Sequence, residues 1–221
     1  MTTDLTIAAQ VADYHRVSAG QLPGDVAAAF AAEQRDLAAT DAPAGAARPG
    51  DRLPDGNLLD VTGHPTTLSQ ATGPRPAVVV FYRGAWCPYC NIALRTYQAQ
   101  LVPALAERGI PLIAISPQTP DWSLSTQETK ELTFTILSDP GNQIAGQLGI
   151  LTAPSAGTRA AQLQLGLDLT QVNADRTTAL PMPTVIVADA AGVIRWIDIH
   201  PDYTTRTEPG QILQAITQAA G

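Results

Sequence analysis

The sequence predicts an α/β fold, a central mixed sheet flanked by helices, with an N-terminal helical extension over residues 1–45. Three observations predict it. Between residues 77 and 148, short apolar runs of strand character alternate with segments of helical period, the pattern of parallel strands joined by crossover helices. Near the C-terminus, two more apolar runs flank a turn-forming stretch at 189–192 and read as an antiparallel hairpin. The only two cysteines of the 221 residues fall between a strand and a helix start, as Cys87-Pro88-Tyr89-Cys90.

In the extension, Val26, Ala27, Phe30 and Leu37 recur near helical spacing after a break at Leu22-Pro23-Gly24-Asp25. The apolar faces of these helices need a partner, either their own domain or a second subunit, so a homodimer is one expectation. Residues 42–50, rich in Ala, Pro and Gly, read as a linker into one main domain over 48–221. Residues 57–61 and 65–68 flank a Thr62-Gly63-His64 turn and suit an outlying hairpin, followed by a buried strand at 77–82.

From Pro88 to about Arg108, Cys90, Leu94, Tyr97, Leu101 and Leu105 mark one buried helical face, which Pro103 is expected to kink. A strand at 111–115, a helix around 125–132, a strand at 134–137, a turn at Asp139-Pro140-Gly141 and a helix at 142–148 follow. Residues 150–180 have no clear period and read as an insertion with some helix. Strands at 184–188 and 193–199 form the hairpin. A helix over 208–219 closes the chain, with Pro209 in its first turn and Thr207 as its cap.

Composition narrows the function classes. With 45% hydrophobic residues the chain can bury a substantial core. A net charge of −7 without a basic cluster argues against nucleic acid as a partner. The longest apolar run, residues 26–32, is far shorter than the roughly 20 residues that span a bilayer, so no membrane partner is expected. The first seven residues lack a basic segment followed by an apolar stretch, which makes the cytoplasm the expected location.

Two cysteines scattered at random would fall three apart only about one time in a hundred, so the spacing asks for a chemical reason. Free amide N–H groups and the dipole at a helix N-terminus stabilise an anion. Thiols in such positions titrate at about 3.5 to 7.5, and the thiolate is the reacting form. Once one sulfur is attacked or oxidised, its neighbour closes a small disulfide that an external thiol reopens. A zinc site would need four ligands, and His15, His64 and His200 stand at no ligand spacing from the cysteines or each other, so no metal is expected. A structural disulfide closing so short a loop removes little chain entropy and would be a poor staple.

Four segments carry a resemblance to the thioredoxin-fold superfamily, and within it to the peroxiredoxin-like (AhpC/TSA, redoxin) branch with a CxxC. They are Pro49-Gly50-Asp51, residues 80–90 ending in Tyr82-Arg83-Gly84-Ala85-Trp86-Cys87-Pro88-Tyr89-Cys90, residues 114–118, and residues 137–142. The likeness runs from about residue 48 to the C-terminus, and the helical extension resembles this branch more loosely. It implies a thioredoxin-like, peroxiredoxin-like fold and a thiol-dependent peroxidase that cycles through a Cys87–Cys90 disulfide without a cofactor. The partners implied are a hydroperoxide or disulfide substrate and thioredoxin, glutathione or another low-molecular-weight thiol as reductant.

The resemblance also implies supporting residues. Pro183, in Met182-Pro183-Thr184, matches the cis-proline that faces the CxxC in thioredoxin-fold proteins, where Met182 backbone would pair with a partner's extended peptide or a substrate thiol. Trp86 resembles the tryptophan that shields a thioredoxin active site, with packing beside the strand as its other role, and Arg83, read from the residues alone, would stabilise a thiolate or bind a carboxylate, or stand as a solvated turn arginine. Peroxiredoxins show Pro-x-x-x-Thr-x-x-Cys with a distant arginine. Aligning that cysteine with Cys90 puts Cys87 at the threonine and Arg83 at the proline, and aligning it with Cys87 puts Gly84 and Val80 there. The arginine would be expected just before the Thr184 strand, where Pro181-Met182-Pro183 stands instead.

Two warrants divide over the attacking sulfur. Helix-end electrostatics favours Cys87, the outer cysteine, for dithiol exchange, and family register favours Cys90 for peroxide attack. The alternative function is a thiol–disulfide oxidoreductase, since glutaredoxins also use Cys-Pro-Tyr-Cys. A third is a redox-sensing scaffold whose disulfide changes its surface. Residues 198–206 recur in the same branch with no role read from them, and His200 within them reads as a loop histidine.

Overall fold

The computed structural model describes residues 5–120, 127 and 131–219. Its strands are β1 (Asn57–Leu59), β2 (Pro65–Thr67), β3 (Ala77–Phe81), β4 (Leu112–Ser116), β5 (Thr135–Ser138), β6 (Leu151–Thr152), β7 (Leu180–Pro181), β8 (Thr184–Ala188) and β9 (Ile194–Ile199). Among the described residues, seven of them form one sheet in the order β2-β1-β5-β4-β3-β8-β9, and β6 pairs β7 separately. The β3–β4 and β4–β5 pairs are parallel, and the β3–β8 and β8–β9 pairs antiparallel, so the sheet is mixed. Strand β3 lies inside the sheet between β4 and β8, buried along its whole length.

Because successive side chains of a strand point to opposite faces, β3 feeds two cores. Val78, Val80 and Tyr82 enter the one that also holds Cys87, Cys90, Tyr97 and Ile212, while Val79 and Phe81 enter the other with Ile113, Ile144 and Ile186. The helices are α1 (Ile7–Ser18), α2 (Gly24–Ala38), α3 (Leu68–Thr72), α4 (Pro88–Thr96), α5 (Val102–Glu107), α6 (Gln143–Gln147), α7 (Ala156–Gln164), α8 (Leu169–Val172) and α9 (Pro209–Ala219). None among the described residues is long and apolar enough to cross a membrane. The helix expected around 125–132 falls largely outside the described residues.

The extension packs on its own chain. Ile7 and Val11 of α1 join the core that holds the cysteines, and both carboxylate oxygens of Glu208 accept hydrogen bonds from the Ile7 and Ala8 N–H groups at the start of α1, each 2.9 Å. Two orphan donors and the positive end of the helix are satisfied at once. Helix α2 lies on α7 of the 150–180 insertion, where buried Glu33 accepts from the Ser155 N–H at 2.6 Å.

Three local expectations are corrected. The break in the helix after the cysteines is a π-helical turn at Tyr97–Leu101, upstream of Pro103. Pro103 lacks the N–H of the regular ladder, and the wider turn before it absorbs the mismatch. Thr207 does not cap α9: its hydroxyl donates to Asp198 Oδ2 at 2.8 Å, and the Gln211 side chain accepts from the Glu208 N–H instead, also at 2.8 Å. The Met182–Pro183 bond is trans, since no described peptide bond is cis. The chain runs extended from β7 into β8, with Met182 N–H donating to Ile150 O at 2.8 Å and Met182 O accepting from the Thr184 hydroxyl at 2.9 Å. Both backbone groups of Met182 are therefore used internally, and neither is offered to a partner's peptide.

Candidate active site

Strand β3 delivers the chain to a turn held by side-chain hydrogen bonds. Ala85 N–H donates to Gln118 Oε1 at 2.8 Å, and Ala85 O accepts from Asn91 Nδ2 at 2.8 Å. Gln118 Nε2 in turn donates to the Tyr82 hydroxyl at 3.1 Å. Gly84 has φ +148°, and a Cβ there would lie 2.5 Å from Trp86 Nε1, so both backbone conformation and space require glycine. Cys87 is the N-cap of α4, Pro88 opens the helix, and Cys90 sits in its first turn.

Both cysteines are reduced and buried, Cys87 1% and Cys90 0% exposed. The group that distinguishes them comes from the loop between β9 and α9. Arg206 Nη2 donates to Cys90 Sγ at 3.1 Å and stands 4.0 Å from Cys87 Sγ. Its Nη1 donates to the carbonyls of Tyr203 and Thr205, which fixes the guanidinium. The loop is braced in turn: His200 Nε2 lies 3.0 Å from Asp198 Oδ2, His200 Nδ1 lies 2.7 Å from Thr205 Oγ1, and His200 N–H donates to Pro183 O.

The electrostatics follow from these contacts. Burial pushes both thiols up. At Cys90 it is outweighed by the hydrogen bond from the Cys87 thiol, the Arg206 charge and the Arg83 backbone N–H, so Cys90 titrates well below an ordinary thiol. Cys87 titrates well above one, because burial and the adjacent Cys90 charge oppose a second anion and the two arginines offset only part of that. The helix-end argument for Cys87 assumed an exposed outer cysteine, and that premise fails at 1% exposure.

Of the other expected residues, Arg83 and Trp86 lie beside Cys87. The Arg83 guanidinium sits 3.9 Å over the Tyr203 ring and 5.1 Å from the Trp86 ring. Pro183 borders a void of about 10 Å³ with Cys90, Thr184, His200 and Arg206, room for about one water-sized molecule. Met182 packs in the core on the opposite face of the sheet. Arg206, for which the sequence suggested no role, reaches the sulfurs from the loop after β9, which lies beside the start of β8 because Thr184 pairs Ile199. Its only signal was the unassigned 198–206 segment.

The two sulfurs face different spaces. Cys90 borders the small void, whereas Cys87 lines a half-open apolar cleft of about 410 Å³ between α1, α2, the 83–89 turn and residues 162–167. Among the described residues no group of three or more His, Cys, Asp or Glu side chains is placed to hold a metal ion.

Comparison with known proteins agrees with this architecture. Residues 49–197 match the model of the AhpC/TSA family. Peroxiredoxin Bcp of Escherichia coli is 32% identical over 104 residues, 46% of this chain and 64% of the relative. The chain spans 60% to 64% of the length of such relatives. Among solved structures, peroxidoxin BcpB of Mycobacterium tuberculosis superposes with a TM-score of 0.58 at 20% identity, covering 78% of this chain and 96% of that one. A peroxiredoxin-like protein of Aquifex aeolicus gives a TM-score of 0.61 at 14% identity over 79% and 88%. These likenesses establish the fold, a peroxiredoxin-type thioredoxin fold.

Proposed function

Because the chain belongs to the AhpC/TSA family, we propose that it is a thiol-dependent peroxidase in which Cys90 attacks the hydroperoxide and Cys87 resolves the product. The observation that carries the assignment is Arg206 Nη2 at 3.1 Å from Cys90 Sγ. A guanidinium there holds the sulfur as thiolate, and its N–H groups suit the charge that develops on a peroxide oxygen.

In the first step the Cys90 thiolate attacks the terminal peroxide oxygen. The O–O bond breaks, the alkoxide or hydroxide leaves and takes a proton from solvent, and Cys90 becomes a sulfenic acid. Cys87 then attacks Cys90 Sγ, water leaves, and the Cys87–Cys90 disulfide forms. Two equivalents of an external thiol, from thioredoxin, glutathione or another small thiol, restore the pair. Cys87 takes the place of the threonine in the family's Pro-x-x-x-Thr-x-x-Cys pattern, so one thiol both donates a hydrogen bond to the thiolate and resolves the sulfenic acid. The setting for this chemistry is the cytoplasm.

A second reading, a thiol–disulfide oxidoreductase, is favoured by the place of Cys87 in the lining of the wide cleft. Stopped-flow oxidation of the reduced protein separates the two. Hydrogen peroxide is expected to oxidise it at least about a hundredfold faster than an unperturbed free thiol, giving one intramolecular disulfide. Oxidation at free-thiol speed together with rapid exchange against a disulfide substrate would leave the oxidoreductase.

A further inference from the structure

At the base of the cleft over Cys87, Arg83 is 4% exposed, and its Nε is buried without a hydrogen-bond partner. Its contacts are the faces of Tyr203 and Trp86, and no carboxylate among the described residues forms an ion pair with it. A guanidinium withdrawn from water is costly without an anion, and stacking on rings offsets only part of that cost. A carboxylate, which a guanidinium grips with two parallel hydrogen bonds, would complete it.

The rest of the cleft describes the remainder of such a ligand. Leu22, Phe30, Leu165 and Tyr89 supply apolar and aromatic walls, and the volume of about 410 Å³ is that of a site for one small molecule. Among the described residues the only basic side chain in the lining besides Arg83 is His15, whose Nε2 is engaged with the Tyr89 hydroxyl at 2.9 Å. The cysteine in the cleft lining is Cys87, while Cys90 borders the small void. With helices of the extension and part of the insertion standing around Cys87, a small thiol reaches it more readily than the rigid loop of a protein.

We infer that the cleft binds a low-molecular-weight thiol carrying a carboxylate on an apolar body, which reduces the Cys87–Cys90 disulfide by attacking Cys87 while Arg83 holds its carboxylate. The inference rests on the dithiol–disulfide cycle proposed above. The ligand's thiolate forms a bond to Cys87 Sγ, the Cys87–Cys90 bond breaks, and Cys90 leaves as a thiolate beside Arg206. A second thiol opens the mixed disulfide at Cys87. The balance is one protein disulfide and two thiols giving the protein dithiol and one ligand disulfide. Departure of the sulfur best able to carry charge favours this direction of attack.

The test oxidises the full chain with diamide, which forms the disulfide without any peroxidase step, and follows its reduction by para-mercaptomethylbenzoate and by the methyl ester of that thiol. With rates normalised to thiolate concentration, the acid is expected to exceed the ester by about tenfold or more, the ratio falling to about one in Arg83→Gln and partly recovering in Arg83→Lys. The ratio cancels any general change in Cys87 reactivity. Should Arg83→Gln fail to fold, inhibition of the wild-type reaction by para-toluate, with para-toluamide inert, supports the same conclusion, and equal inhibition by both overturns it. A ratio near one in the wild type, or one unmoved by Arg83→Gln, overturns the inference. So does an acid-over-ester preference confined to oxidation by a carboxylate-bearing hydroperoxide, which would make the cleft an oxidant site. Slow peroxide oxidation beside a preserved preference in reduction removes the peroxidase reading and leaves this inference standing. If diamide forms no Cys87–Cys90 disulfide, both fall.

Discussion

Arg206 Nη2 lies 3.1 Å from Cys90 Sγ and 4.0 Å from Cys87 Sγ, and that asymmetry adds to the Cys87 hydrogen bond in favouring the thiolate at Cys90 over Cys87. Replacing Arg206 with Met removes the charge while retaining apolar bulk. Cys90 is then expected to titrate upward toward an ordinary thiol, about 8.5, and peroxide oxidation at about pH 7 to slow by roughly tenfold or more. Arg206→Lys should recover part of both, because a point charge replaces the fork. The ultraviolet absorbance of the thiolate against pH reads the shift directly.

The Cys87 thiol hydrogen-bonds the Cys90 sulfur, and in the proposed cycle it is also the resolving partner. Cys87→Ser keeps a donor and is expected to leave Cys90 titrating low, with its sulfenic acid persisting for want of a resolving sulfur. Cys87→Ala loses the donor as well, and Cys90 should titrate higher than in Cys87→Ser. Iodoacetamide alkylation rates across pH compare the two variants.

The Asp198 carboxyl is held below its usual range by hydrogen bonding to His200, against burial, with Thr207 adding a second hydrogen bond. A carboxylate depressed in the folded state stabilises above its unfolded value, about 3.9, and the contribution is lost as pH falls through the lower folded value. The melting-temperature gap between wild type and Asp198→Ala should be full above about pH 5 and close progressively below it. At neutral pH the same variant is expected to slow oxidation, since the loop it braces carries Arg206.

Glu208 ties the start of α1 to the start of α9 through the Ile7 and Ala8 N–H groups. Glu208→Ala should cost about 1 kcal/mol and free α1, which forms one wall of the cleft. Faster proteolysis of the extension, with the main domain intact, would report it.

Much of this fold is legible in the sequence because its signals are local. The buried run of β3, the apolar face of Cys90, Leu94, Tyr97, Leu101 and Leu105, and the 189–192 turn each act over one element, and the structure returns each of them. The cysteine pair is legible for the same reason. Its polarity is not, because helix-end electrostatics is a local argument and the deciding charge is Arg206, 116 positions from Cys90 and on another element. The cleft is equally hidden, since Phe30, Arg83 and Leu165 share no sequence neighbourhood and meet only once α2 and α7 pack. The cis-proline analogy fails at Met182-Pro183 because β7 feeds straight into β8 and uses both backbone groups of Met182.

The most direct test of Cys90 as the attacking sulfur is dimedone trapping after one equivalent of hydrogen peroxide, with the modified residue located by mass spectrometry in Cys87→Ser and Cys90→Ser. The account predicts fast sulfenic acid formation at Cys90 in Cys87→Ser and near-complete loss of reactivity in Cys90→Ser. Rapid trapping at Cys87 in Cys90→Ser, with Cys90 inert in Cys87→Ser, would contradict it and return the nucleophile to the helix N-cap.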